Sequence, residues 1–151
     1  LNVCKNKFGF DDAFNYKKGI KEGLDAVLKG KTIDLYFDNV GGELLDEVLT
    51  RMSTGGKIIC CGSISQYDKK DSEKYGVKNI LDITTKCLTV HGFLLGLWAS
   101  ELPAALPELA KMVKDGQIIP EETVLHGFDK VVDGMLGLLQ GTNTGKMIIS
   151  V

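Results

Sequence analysis

With 151 residues, 44% of them hydrophobic and 25% charged, the chain is long enough for a packed domain and too apolar for disorder. A net charge of −2 leaves no basic excess for nucleic acid or a membrane surface. No apolar run approaches bilayer length, and no secretory leader opens the chain. The start, Leu1-Asn2-Val3, lacks methionine, and residues upstream are expected. Four cysteines are present: Cys4, Cys60, Cys61 and Cys87. The vicinal pair is a poor disulfide and no C-x-x-C spacing offers a zinc site, so reduced, mostly buried thiols in the cytoplasm are expected.

The first residues read as the end of a helix stopped by Gly9. Ala13 to Tyr16 reads as a short strand. Ile20, Leu24, Val27 and Leu28 have the spacing of an amphipathic helix that Gly30 ends. Ile33 to Asp38 is an apolar and aromatic strand, and Gly41-Gly42 turns the chain. Leu44, Leu45, Val48, Leu49 and Met52 form a second helical stripe. Gly56 to Gly62 is nearly continuous in apolar residues, which predicts a strand covered on both faces.

Residues 68–78 are polar and charged, a solvated loop. Asn79 to Lys86 reads as a helical turn and Leu88 to Leu97 as a further strand. Ala99 to Lys114 reads as a helix in which Pro103 suits the first turn and Pro107 implies a kink or a later start. Phe128 to Leu139 carries a last amphipathic stripe. Gly141 to Gly145 is a turn, and Lys146 to Val151 a terminal strand.

Strand, helix, strand, helix, strand in succession predicts an α/β fold with parallel βαβ units. Ligands of such sheets bind beyond the carboxyl ends of the strands. Two segments lie there: Asp38-Asn39-Val40-Gly41-Gly42, and Cys61-Gly62-Ser63-Ile64-Ser65-Gln66-Tyr67. The Asn39 amide carries a donor and an acceptor, suited to a ribose or a carboxamide, and a turn residue before Gly-Gly explains it equally well. Ser63 and Ser65 offer hydroxyls and backbone N–H groups, or simply cap their own loop. Tyr67 offers a phenol that can donate a proton, or a loop-edge aromatic. Tyr16, beside Lys17 and Lys18, suits a phosphate or an ordinary strand. His91 reads as a satisfied core or interface histidine, His126 has no second ligand near it, and Trp98 reads as packing. No G-x-G-x-x-G turn is present, so no phosphate cradle is visible. Hydrolase and metalloenzyme patterns are absent as well.

Four strings fall in one order and spacing: Gly9-Phe10-Asp11-Asp12-Ala13-Phe14-Asn15-Tyr16-Lys17, Tyr36-Phe37-Asp38-Asn39-Val40-Gly41-Gly42, Cys61 to Tyr67, and Gly141-Thr142-Asn143-Thr144-Gly145-Lys146. In these the chain resembles the zinc-independent medium-chain reductases, the branch of prostaglandin reductases and plant alkenal double-bond reductases. The resemblance implies a partial Rossmann fold over residues 1–120. It makes 121–151 a C-terminal helix and strand returning to a GroES-like domain that lies upstream. It implies NADPH as cofactor, an enal or enone as substrate, no metal, and a homodimer of the full-length protein.

Residue by residue, the resemblance places Tyr16 near the adenosine 2′-phosphate and Asn39 on the cofactor. Cys61, Gly62, Ser63, Ile64, Ser65, Gln66 and Tyr67 run along the ribose and nicotinamide. Phe93, Leu94 and Leu95 meet the carboxamide, and Asn143 makes a late contact. Tyr67 is also the implied donor to the substrate carbonyl. One position departs from the pattern: a substrate-pocket tyrosine of the mammalian members falls near Thr85. A second reading keeps the chain as a noncatalytic interaction module derived from such an enzyme, or as a piece of a related quinone reductase. A glycine-rich turn encoded upstream discriminates in favour of the active reductase.

Overall fold

A computed structural model describes all 151 residues. The chain divides into two compact units, 1–100 and 101–151. The boundary expected at residue 120 falls inside the second unit.

In the first unit, α1 (Asn2–Asn6) ends before Gly9, whose φ is +71°. α2 (Ile20–Leu28) presents Leu24 to the core and closes on Lys29 in the left-handed region, followed by Gly30. β1 (Ile33–Asp38), α3 (Gly42–Leu49) and β2 (Met52–Cys60) then follow, with α4 (Leu81–Thr85) and β3 (Thr89–Gly92) after a long loop. The sheet order is β1-β2-β3 and both pairs are parallel. Leu24, Val48, Leu49, Met52, Ile58 and Leu88 form the buried core, with Phe14, Tyr36 and Ile83 packed against it.

The structure corrects several expectations. Ala13 to Tyr16 is not a strand: it pairs with no neighbour, and the Asn15 side chain accepts from the Lys17 N–H to start a 3₁₀ turn over Tyr16–Lys18. β2 starts earlier than expected, at Met52, and the Ser53–Gly56 stretch interrupts its register with β1. The strand expected over Leu88 to Leu97 stops at Gly92, and Leu95–Glu101 turns as 3₁₀ helix. Alternate residues of β1 face opposite sides of the sheet. Asp38 is buried, whereas Leu35 and Phe37 are 60% and 52% exposed, so one face of the sheet lacks the cover expected from the apolar runs. All four cysteines are free, but Cys61 and Cys87 are exposed rather than buried. His91 is exposed too.

The second unit holds α5 (Leu102–Lys114), β4 (Glu122–His126), α6 (Val131–Gln140) and β5 (Lys146–Ser150). Pro103 sits in the first turn of α5 and Pro107 inside it. β4 and β5 pair in parallel around α6 as a βαβ unit. β4 is an element that the sequence reading did not contain.

Candidate functional site

The register fixes where the site lies. Asp38 of β1 pairs with Cys60 of β2, and Cys60 with Gly92 of β3. The next residues, Asn39, Cys61 and Phe93, therefore leave the sheet side by side at its carboxyl edge. The Phe93 N–H donates to the Cys60 carbonyl at 2.8 Å, which keeps it beside the loop. Leu94 and Leu95 continue this edge and are exposed.

The loop after β2 is stitched to the turn after β1. The Asp38 carbonyl accepts from the N–H groups of Cys61 and Gly62 at 2.8 and 3.0 Å. The Asn39 carbonyl accepts from Ile64 N–H, and the Val40 carbonyl from both Ser65 N–H and Ser65 Oγ. The turn itself is organised by the Asp38 carboxylate. Its Oδ1 accepts from the Tyr36 hydroxyl, Val40 N–H and Gly41 N–H, each at 2.9 Å. These donors meet the requirement that a buried carboxylate be hydrogen-bonded. Burial, and then the Asp38 charge, push the Tyr36 phenol far above its ordinary value, so it remains a neutral donor. The same two causes raise the Cys60 thiol, which stays protonated and poorly nucleophilic.

Gly41 and Gly42 answer to two demands at once. Both have positive φ, +64° and +59°. A Cβ on Gly41 would run into the Ser63 side chain, and one on Gly42 into the side chains of Gln66 and Ser65. The Gly-Gly step is thus the seat on which the Ser63–Gln66 turn rests.

On this seat the Tyr67 hydroxyl accepts from the Ser63 N–H at 2.9 Å, while the ring is 67% exposed. A phenol oxygen that already accepts keeps its own hydrogen for an outside acceptor, and polarisation through the first bond makes it a stronger donor. Asn39 is exposed, and its side-chain amide has no partner within the chain. A cavity of about 480 Å³, lined by Ser63, Gln66, Tyr67, Lys74 and Tyr75, opens beside the Tyr67 ring. Another recess, of about 430 Å³, is lined by Arg51, but that guanidinium is already engaged by Asp25 and Glu47 and offers a ligand little.

Asn39, Cys61 to Tyr67 and Phe93 are therefore brought together. The Gln66 amide is used inside the protein: its Oε1 accepts from Tyr75 N–H and its Nε2 donates to Ser65 Oγ. Tyr16 opens the exposed 3₁₀ turn ahead of α2, and no hydrogen bond links it to this cluster. Asn143 lies in the second unit, where its amide donates to the Gly145 carbonyl. Trp98 stacks on Phe93, with ring centroids 6.2 Å apart. Sequence reasoning missed Asp38 and Asp46 as organising carboxylates. No signal in the sequence separates Asp46 from its neighbour Glu47, since both fill the polar gap between Leu45 and Val48.

Comparison with known proteins identifies the family. A family model described as zinc-binding dehydrogenase matches residues 1–111. The chain belongs to this zinc-binding dehydrogenase family. A relative in Nicotiana tabacum, named 2-alkenal reductase (NADP(+)-dependent), is 39% identical over 100% of this chain and 44% of its own length. Prostaglandin reductase 1 of Mus musculus is 39% identical over 95% of this chain and 44% of its own length. The crystal structure of CurA in complex with NADPH from Vibrio vulnificus superimposes with a TM-score of 0.86 at 29% identity, over 99% of this chain and 45% of that one. The chain thus spans less than half the length of these family members. Together they show the α/β, Rossmann-like fold expected from the sequence. Despite the family's description, no group of three or more His, Cys, Asp or Glu side chains is placed here to hold a metal ion. No helix is long and apolar enough to cross a membrane.

Proposed function

We propose that this chain is the nicotinamide-side part of a longer, cytoplasmic NADPH-dependent reductase that saturates the carbon–carbon double bond of α,β-unsaturated aldehydes and ketones. The observation that carries the reading is the Tyr67 hydroxyl. It is anchored by Ser63 N–H, exposed at the carboxyl edge of a parallel sheet, and has a hydrogen left to give. The partnerless Asn39 amide and the partly exposed strip from Cys61 suit a ribose and a carboxamide. The relatives' names and the NADPH of the CurA complex support the cofactor and the substrate class. The pyrophosphate turn, in this reading, belongs to residues preceding Leu1. Residues 1–120 are assigned to the cofactor domain and 121–151 to the return segment.

Bound NADPH supplies a hydride for the β-carbon of the substrate. Negative charge then develops on the substrate's carbonyl oxygen. Tyr67 donates its hydrogen bond to that oxygen, an interaction that strengthens only as the charge appears. Asn39 and the loop backbone would hold the nicotinamide end of the cofactor, and the α-carbon would take its proton from solvent.

Tyr67→Phe in the full-length enzyme keeps the ring and removes one hydroxyl. The expected result is a fall in kcat of about 10- to 1,000-fold with a smaller change in KM. A kcat within about twofold of the parent leaves Tyr67 as packing and removes the catalytic assignment. The reading also includes a homodimer, because β3 is a sheet edge exposed at every residue. Sedimentation of the full-length protein as a monomer at micromolar concentration counts against it.

A further inference from the structure

The loop that carries Tyr67 is held at a second point, on α3. Asp46, on α3, is 3% exposed although it is charged. Its carboxylate accepts from three groups of the loop's distal end: the Tyr75 hydroxyl at 2.8 Å, Lys78 N–H at 2.9 Å and Asn79 N–H at 2.8 Å. The Asn79 side chain donates back to the Asp46 carbonyl at 3.2 Å. The Lys78 ammonium lies over the Tyr75 ring, 5.0 Å from its centroid, a cation–π contact.

From Tyr75 the connection returns to the site. Tyr75 N–H donates to Gln66 Oε1 at 2.7 Å, Gln66 Nε2 donates to Ser65 Oγ at 2.7 Å, and Ser65 Oγ donates to the Val40 carbonyl at 2.6 Å. Gln66 directly precedes Tyr67, and Tyr75 shares the cavity wall with it. Tyr75 thus links a buried carboxylate on α3, through its hydroxyl, to the residue beside the phenol, through its backbone N–H.

We propose that Asp46 is a positioning residue for the double-bond reduction, acting through Tyr75 and Gln66 to hold the Tyr67 hydroxyl where the substrate oxygen develops charge. The proposal rests on the function assigned to Tyr67 above. Charged acceptors with three short donors make the strong class of hydrogen bond, and a displacement of about 1 Å at a reacting group can cost up to about 100-fold in rate.

Two measurements test it. In the 151-residue chain, Asp46→Asn is expected to raise amide exchange at Tyr75 and Ser63, the two N–H groups in the Gln66 and Tyr67 links. In the full-length enzyme it is expected to lower kcat by roughly 10-fold with KM little changed, and to lower it by less than about twofold in a Tyr67→Phe background. Equal losses in both backgrounds overturn the proposal, because a merely structural residue acts whether or not the hydroxyl is present. Unchanged exchange at Ser63 overturns it as well. If Tyr67→Phe alone proves silent, the catalytic reading falls, and the exchange measurement alone judges whether Asp46 holds the loop. Tyr75→Phe keeps both backbone bonds to Asp46 and carries the same tests, with smaller changes in the same direction, should Asp46→Asn fail to fold.

Discussion

The two compact units bury their apolar residues very differently. In the first, six hydrophobic side chains from α2, α3, β2 and the entry to β3 are shielded almost completely. In the second, the only buried residue of α6 is Gly134, which lets the helix approach the side chains of Ile149 and Leu125. Val132, Met135, Leu136 and Leu139 of the same helix are 51–67% exposed. An amphipathic helix earns its stability by covering its apolar stripe. The first unit meets that condition with its own residues. The second has the backbone of a βαβ unit without the burial that normally accompanies one.

Substitution at matched leucines breaks or sharpens this contrast most strongly. Leu49 is 2% exposed and packs in the core of the first unit. Leu49→Ala in the 151-residue chain is expected to cost about 2–5 kcal/mol, from lost burial and the cavity left behind. Leu139 is 66% exposed, and Leu139→Ala is expected to change stability by less than about 0.5 kcal/mol. Denaturant unfolding of both variants reads the difference. Equal costs would break the comparison, since they require α6 to be covered in solution.

The same contrast explains what could be read in the sequence. α2 and α3 are legible because a buried stripe leaves a period: Leu24 with Leu28, and Leu44 with Val48, repeat at helical spacing, while β1 is legible from its apolar and aromatic run. The carboxyl edge was legible because parallel topology alone puts Asn39 and Cys61 there. Ala13–Tyr16 was misread because its apolar and aromatic residues suit a strand, yet a strand also needs a partner, and Phe14 instead packs against Gly23. β4 was overlooked because Glu122 and His126 flank only three residues of alternating character, Thr123, Val124 and Leu125. Asp38 and Asp46 act through hydrogen bonds to residues near and far in sequence, and a single carboxylate leaves no period to detect. Gly41-Gly42 was visible as a turn, but not as the seat of Ser63 and Gln66, because that contact spans the crossover from β1 to β2.

The smallest expected effect separates the units by pH. Burial alone would raise the Asp46 carboxyl, but hydrogen bonds from Asn79, Tyr75 and Lys78 outweigh it and hold the group below the ordinary carboxylate range. A depressed carboxyl contributes stability that is present above its unfolded value, about 3.9, and is lost as pH falls through the lower folded value. The Tyr75 phenol, bonded to that carboxylate, is pushed up to about 12. Its contribution is present below the unfolded value of about 10 and is lost as pH rises through the folded one. In the second unit, Lys130 is raised by its bonds to Asp133 and Asp129, so whatever it contributes is lost only on the alkaline side. Acid below about pH 4 should therefore loosen the Tyr67–Asn79 loop while leaving the β4–β5 pair in place. Amide chemical shifts followed from pH 7 down to pH 2.5 in ~0.5-unit steps would register this as movement at Lys78 and Asn79 before Val124 and Ile148. Simultaneous movement at all four would mean that the acid-sensitive step is not the protonation of the Asp46 carboxylate.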